Sequence, residues 1–163
     1  MAGPRKFSVA QTALGAGVIN AVLNAPLALL LVRPGAALPL FGLPSVAADL
    51  VAMGYGISFG TALVVTLQTR SALRRGRLLL PELPPRLHAS LARWPSSVLH
   101  RAVNLGVLSV LLFVPLPLLA LVVLGAHDLD RSTLMIFKGA FSFVQGALVT
   151  PLVVVAAGVA PRT

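Results

Sequence analysis

The sequence predicts an all-α integral membrane protein, a bundle of four transmembrane helices arranged as two parallel helical-hairpin repeats. Three observations predict this fold class: the composition, four long apolar stretches, and a likeness between the two halves of the chain. Of the 163 residues, 57% are hydrophobic and only 10% are charged, whereas soluble domains carry about 25% charged residues. The chain has no cysteine. A soluble globular domain, a disordered chain and a disulfide scaffold are therefore excluded.

Four apolar stretches are long enough to cross a bilayer as helices. They cover residues 7–32, 46–68, 102–124 and 134–158. A helix needs roughly 20 apolar residues to cross the hydrocarbon core. The first stretch is longer than the apolar core of a cleaved signal peptide, so we expect it to remain as a helix. We therefore expect a single membrane domain over residues 1–163.

The basic residues lie on alternate sides of the predicted spans. Arg5 and Lys6 precede the first span, Arg162 follows the fourth, and seven arginines lie between spans two and three. The remaining connections hold only Arg33 and Arg131, with Lys138 at a span mouth. By the positive-inside rule, this asymmetry predicts a protein of the cell inner or plasma membrane with cytoplasmic N- and C-termini.

The two predicted hairpins resemble each other at fixed offsets. Residues 17–27 match residues 106–116 at an offset of 89, with Gly, Val and Pro at the same spacing. Residues 54–64 match residues 139–149 at an offset of 85. Both hairpins enter from the same side, which predicts parallel repeats about an axis along the membrane normal. The alternative is that apolar helices rich in Leu, Val, Gly and Pro resemble each other by composition alone.

Polar side chains within the spans form a candidate intramembrane face. Its members are Asn20, Asn24, Ser142, Gln145 and Thr150. Asn20 and Asn24 are four residues apart, so both amides lie on one face of the first helix. Amides in lipid need hydrogen-bond partners. Two interpretations stay open: hydrogen bonds between helices, or a polar path or binding site for a small ligand.

Two ionisable side chains fall inside the predicted spans, both near the outer ends. Asp49 lies in the second span and Lys138 in the fourth. Their similar depth predicts a candidate ion pair at the outer mouth, although interfacial positions with separate solvation are the common alternative. No acidic residue lies near the bilayer centre, which argues against a proton-coupled carrier.

Small residues at helical spacing predict close helix packing. The residues are Gly17, Ala21, Ala52, Gly56, Gly60 and Gly146. Gly56 and Gly60 form a GxxxG pair, a pattern that lets helix backbones approach each other. The pattern does not distinguish packing inside one bundle from packing between protomers. We expect a homo-oligomer or a larger membrane complex.

Residues 69–101 form a basic loop expected to lie against anionic phospholipids. The candidate headgroup contacts are Arg70, Arg74, Arg75, Arg77, Arg86, Arg93 and Trp94. Leu87, Leu91 and Trp94 recur at i, i+4 and i+7, which predicts a short interfacial helix with a tryptophan anchor. Since the bilayer headgroups would occupy these arginines, and no nucleic-acid-binding motif is present, we expect no nucleic-acid partner.

Motifs for catalysis and cofactor binding are absent from the sequence. It contains no HExxH, P-loop or Gly-x-Ser-x-Gly motif, and its three histidines are far apart. We therefore expect no catalytic residues, no metal and no cofactor. The sequence favours a non-catalytic structural, accessory or assembly subunit that acts through helix–helix and lipid contacts. The alternative is a small oligomeric channel or facilitative transporter for ions or small solutes.

Overall fold

The computed structural model describes residues 8–78, 84–95 and 97–159, without the side chains of Leu87 and Ala92. Outside these residues lie the predicted start of the first span at Phe7, the terminal cations Arg5, Lys6 and Arg162, and the predicted apolar contact of Leu87.

Within the described residues, four helical segments are long and apolar enough to span a membrane, as expected for a multi-pass membrane protein. The first consists of α1 (Val9–Asn24), a 3₁₀ turn (Ala25–Leu27) and α2 (Ala28–Leu31); the second is α3 (Val46–Arg74); the third consists of α5 (Val98–Phe113) and α6 (Pro115–Val123); the fourth is α7 (Arg131–Val159). A shorter helix, α4 (Pro85–Ala92), lies between α3 and α5.

Four polar side chains cap the starts of the spanning segments. The hydroxyls of Ser8, Ser45 and Ser97 each accept a hydrogen bond from the amide three residues later. Asp130 plays this part for α7, because its carboxylate accepts from the hydroxyl of Thr133 and from the amides of Ser132 and Thr133. These hydrogen bonds, the one from the Thr133 hydroxyl above all, hold the pKa of Asp130 below its ordinary value. Amides that would otherwise lack partners are thereby satisfied.

Prolines interrupt the first and third spans at corresponding places. Pro26 lies in the 3₁₀ turn that follows α1, and Pro115 begins α6 immediately after α5. Proline has no amide hydrogen and its ring clashes with the carbonyl four residues earlier, so regular helix cannot pass through unchanged. Pro151, in contrast, lies inside α7, which continues through it.

The spanning segments are arranged with α3 and α7 at the centre. α7 packs between α1 and α3, and α3 packs between α7 and α5, while α1 and α3 touch only slightly. The most apolar stretches of α3 and α7 are each 50% buried, against 11% for α1–α2 and 17% for α5–α6. The outer spans therefore expose most of their apolar side chains.

A two-stranded sheet joins the two connections at one end of the bundle, and the all-α prediction missed it. Strands β1 (Ala37–Pro39) and β2 (Asp128–Asp130) pair antiparallel, with Leu38 opposite Leu129. Both leucines are buried in one hydrophobic cluster. Strands of three residues are too short to show the alternation that identifies a strand in sequence. We call this the sheet end, and the opposite end, where α1 and α5 begin and α3 and α7 finish, the basic end.

Helix α4 lies at the basic end, and part of its apolar side packs against the helix bundle. Leu91 is buried, and Trp94 packs against a second hydrophobic cluster that includes Val149 and Val153 of α7. The face predicted to meet the membrane therefore meets the bundle at these two residues.

Candidate functional site

A groove runs between α1 and α3 over most of the depth of the bundle. Its volume is about 790 Å³, and Lys138 of α7 contributes to its lining. The groove exists because α1 packs on α7 rather than on α3. From Asp49 to Gln68, α3 rises about 28 Å, so the volume corresponds to a mean cross-section of about 28 Å². That cross-section admits one row of side chains or one hydrocarbon chain, and is too small for a whole helix.

Small residues form the centre of the groove. Ala52, Gly56 and Gly60 of α3 line one wall, and Gly15 and Ala16 of α1 line the other. A Cβ atom added at Gly15, Gly56 or Gly60 would meet no atom within 4 Å. These glycines are therefore not needed for packing inside the bundle, and they leave room for another backbone to approach.

The remaining small residues serve the seam between α1 and α7. A Cβ at Gly17 would lie 2.9 Å from the carbonyl oxygen of Phe143, and a Cβ at Gly146 would lie 2.7 Å from Nδ2 of Asn20. Ala21 is half-buried on α1. The small residues singled out in the sequence therefore divide into two sets, one inside the bundle and one facing the groove.

Asn20 and Asn24 line the groove, but they do not join helices. Their amide nitrogens donate to the carbonyl oxygens of Ala16 and Asn20, each at 2.8 Å and each within α1. Within the described residues, their side-chain oxygens accept no hydrogen bond. Those oxygens are acceptors for a molecule that enters the groove.

The polar residues of α7 lie away from the groove, so the predicted face is split. They are Ser142, Gln145 and Thr150, all buried. Gln145 joins α7 to α3, because its Nε2 donates to the Gly54 carbonyl at 2.6 Å and to the Ser58 hydroxyl at 2.9 Å. Thr150 donates within its own helix. Gln145 therefore acts as the interhelical link that one interpretation assigned to the asparagines.

An ion pair closes the sheet end of the groove. Nζ of Lys138 lies 2.6 and 2.5 Å from the two carboxylate oxygens of Asp49. The Lys138 side chain is 2% exposed and that of Asp49 is 16% exposed. A charge this deeply buried is tolerated because its counter-ion is in contact with it. The pair links α7 to α3 and places polar atoms at this mouth.

Polar side chains also line the opposite mouth, and no sequence prediction assigned them a role. Gln11 and Thr12 of α1 and Gln68 of α3 line the groove at the basic end. The available signal was their position: each lies near the basic end of its predicted span, at similar depth. The groove is thus polar at both mouths and lined by small and apolar residues between them.

The predicted headgroup contacts lie around the basic end. Exposed residues are Arg74, Arg75, Arg77, Arg86 and Arg93, while Arg70 and Trp94 are half-buried. Arg101, one of the seven arginines between spans two and three, is buried. In general, one cation beside an anionic membrane surface gains about 1 kcal/mol of attraction.

Within the described residues, no group of three or more His, Cys, Asp and Glu side chains is placed to hold a metal ion. No protein-family model matches this chain, and neither a curated protein nor a solved structure matches it.

Proposed function

We propose that this protein is a non-catalytic membrane subunit whose groove between α1 and α3 receives a ridge of side chains from a transmembrane helix of a second copy. One observation carries the proposal: Gly56 and Gly60 form a GxxxG pair whose glycines meet nothing inside the bundle. Such pairs let two helices approach until backbone and side-chain contacts replace lipid. Glycine in a helix interior costs roughly 0.5–1 kcal/mol relative to alanine, so an unused pair would only weaken α3.

A second copy carries a ridge that fits a groove of this width. Leu14, Val18 and Val22 of α1 recur four residues apart and are 57%, 52% and 66% exposed. One row of such side chains matches a cross-section of about 28 Å². If each copy inserts its ridge into the groove of the other, the contact is isologous and closes as a two-fold dimer.

We also infer that the chain is a tandem duplication of one hairpin. Helices α1 and α5 each have 16 residues, and α3 and α7 each have 29. α1 and α5 start at Val9 and Val98, and α3 and α7 start at Val46 and Arg131, which reproduces the offsets of 89 and 85. A two-fold axis between α3 and α7 would exchange the α1–α7 contact with the α5–α3 contact. This agreement supports parallel repeats.

The basic end is proposed to face the cytoplasm. Arg74, Arg75 and Arg77 follow α3 directly and are exposed. The sheet end carries Asp128 and Asp130 and fewer cations. This distribution supports cytoplasmic termini by the positive-inside rule and contact of the basic loop with anionic lipid.

The test is the mass of the protein in mild detergent and in lipid nanodiscs. We expect the wild type to be dimeric by light scattering and Gly56→Phe to be monomeric, with unchanged helix content by circular dichroism, because the space at Gly56 is open. Leu119→Phe is the matched control, since Leu119 lies on α6 and is 59% exposed. A monomeric wild type, or a Gly56→Phe variant that stays dimeric, would contradict the proposal.

A facilitative transporter is the second candidate, and the polar mouths of the groove favour it. Gln68 lies at one mouth and Asp49 at the other, with Asn20 and Asn24 between them. The test is solute and ion flux into proteoliposomes, with an Asn20→Leu/Asn24→Leu variant as comparison. Flux that falls in this variant would support the candidate. Wild-type protein that leaves permeability unchanged in monomeric and dimeric form would exclude it.

A further inference from the structure

A second groove lies on the outer side of α5 at the basic end. Its volume is about 420 Å³, and its lining residues are Trp94, Pro95, Arg101, Asn104, Leu105, Val107, Leu108 and Leu111. The polar members lie where α4 meets the start of α5, and the apolar members continue along α5 toward the sheet end. The groove therefore has a charged head and an apolar tail.

Arg101 at the head of this groove has an unused hydrogen-bond donor. Its side chain is 1% exposed, and its Nε and Nη2 donate to the carbonyl oxygen of Pro95 at 3.3 and 3.0 Å. Its Nη1 is buried and has no hydrogen-bond partner within the described residues. Buried donors almost always have acceptors, and a guanidinium group that keeps a free donor matches a phosphate or carboxylate oxygen.

A second cation lies nearby, and no counter-ion contacts it within the described residues. Arg70, near the end of α3, is close enough for its charge to repel that of Arg101. Nη2 of Arg70 is also buried without a partner in the described part of the chain. The ion pair found among those residues, Asp49–Lys138, belongs to the opposite end. Two neighbouring cations, one buried and one half-buried, are stabilised when an anion lies near both.

We propose that an anionic phospholipid binds in this groove, with its phosphate at Arg101 and one acyl chain along Leu105, Leu108 and Leu111. Arg101 supplies a planar donor that phosphate oxygens accept. Asn104, one turn further along α5, offers an amide to the same headgroup. The apolar tail favours a lipid over inorganic phosphate, which shares the phosphate chemistry but leaves the leucines uncovered. This inference does not rest on the proposed dimer.

Trp94 makes the site directly observable, because it lines the groove and is the one tryptophan in the chain. Full-length protein is placed in nanodiscs that contain either phosphatidylglycerol or phosphatidylcholine with brominated acyl chains, at equal mole fraction. Bromine quenches tryptophan on contact. We expect the brominated anionic lipid to quench Trp94 more strongly than the brominated zwitterionic lipid. Equal quenching by the two lipids would overturn the proposal.

Variants assign that preference to Arg101. Arg101→Gln should reduce the preference about fivefold, the effect expected for one cation at a lipid surface. Arg33→Gln, at an exposed position of the sheet end, removes one charge away from this groove and is the matched control, which should keep the preference. Because Arg101→Gln removes a buried group and can also weaken the fold, Asn104→Leu at an exposed position provides a second measurement, with a smaller expected reduction. A preference retained in a folded Arg101→Gln variant and in Asn104→Leu would overturn the proposal.

Two further measurements distinguish a bound lipid from other anions at Arg101. Millimolar inorganic phosphate should leave the preference unchanged, and its loss would show a site for free phosphate instead. Glu82 is the one acidic residue between α3 and α5 in the sequence. Glu82→Gln should also leave the preference unchanged, and a large increase would identify Glu82 as the counter-ion and contradict the proposal.

Discussion

The two central helices have equal lengths but present opposite kinds of surface to their outer neighbours. Along α3, Ala52, Gly56 and Gly60 face the groove beside α1. At the offset of 85, α7 has Phe137, Phe141 and Gln145 instead. The two phenylalanine rings stack with centroids 6.5 Å apart and pack against a buried cluster that includes Val114. The groove is thus open on one side of the molecule because three side chains are small there.

The link between α3 and α7 at the sheet end differs in the same way. Asp49 and Lys138 form an ion pair, whereas the residues at the corresponding positions, Leu134 and Met53, are apolar and buried in the core. One half thus supplies a charged contact where the other supplies an apolar one. A residue of α3 can therefore be replaced by the residue found 85 positions later in α7, or the reverse, and the effect on stability can be measured.

Exchange at the ion pair should have the largest effect. Asp49→Leu leaves Lys138 buried without a counter-ion, and we expect a loss of about 3 kcal/mol in the free energy of unfolding. The double variant Asp49→Leu/Lys138→Met reproduces the apolar contact and should return to within about 1 kcal/mol of wild type, since apolar replacement of a buried pair is often neutral. Unfolding in mixed micelles measures both. A double variant as unstable as the single one would contradict this interpretation.

Exchange at the aromatic surface should have the next largest effect. Phe141→Ala removes a half-buried ring and is expected to cost about 2 kcal/mol, below the 3–5 kcal/mol typical of fully buried phenylalanine. Gly56→Phe, at the corresponding position of α3, should leave the free energy of unfolding unchanged when both proteins are measured as monomers. The same unfolding assay compares the two. Equal destabilisation would show that the groove is packed more tightly than its geometry indicates.

Alanine substitutions at two glycines compare a tightly packed helix contact with the open groove, and we expect smaller changes in stability than those above. A Cβ at Gly106 would lie 2.6 Å from the ring of Tyr55, whereas a Cβ at Gly60 meets nothing within 4 Å. Gly106→Ala should therefore lower the free energy of unfolding by about 1–2 kcal/mol, as overpacking does. Gly60→Ala should have no effect or a slight stabilising one. Thermal melting of both variants measures this difference. An equal fall in melting temperature in the two variants would contradict the prediction.

The helix caps should give the smallest effect, visible as a dependence on pH. Ser45 caps α3 and Asp130, at the offset of 85, caps α7. The folded-state pKa of Asp130 lies below the ordinary 3.8. The carboxylate therefore stabilises the fold fully above pH 3.8, and this stabilisation is lost as the pH falls from there through the lower, folded-state pKa. Asp130→Ser should flatten the fall in melting temperature on acidification. An unchanged acid profile would show that the cap contributes little.

The sequence was enough to predict the four apolar spans and the approach of Asp49 to Lys138, because span length and matched depth are readable from the chain. The groove was not predictable, since it depends on α1 packing against α7 rather than α3. The asparagines illustrate the same limit. Their spacing predicts a shared face, but not that the amides donate to their own helix. The burial of Arg101 follows from the corner between α4 and α5, which no sequence pattern indicates.

Cross-linking between copies tests the central claim most directly, and the chain has no cysteine to interfere. Copies that carry Val18→Cys in the α1 ridge are mixed in membranes with differently tagged copies that carry Gly56→Cys in the groove, and the mixture is oxidised. The account predicts a disulfide-linked species that contains one copy of each. Replacing Gly56→Cys with Leu119→Cys, on the outer side of α6, should abolish it. Absence of the link at Gly56, or equal linking at Leu119, would contradict the account.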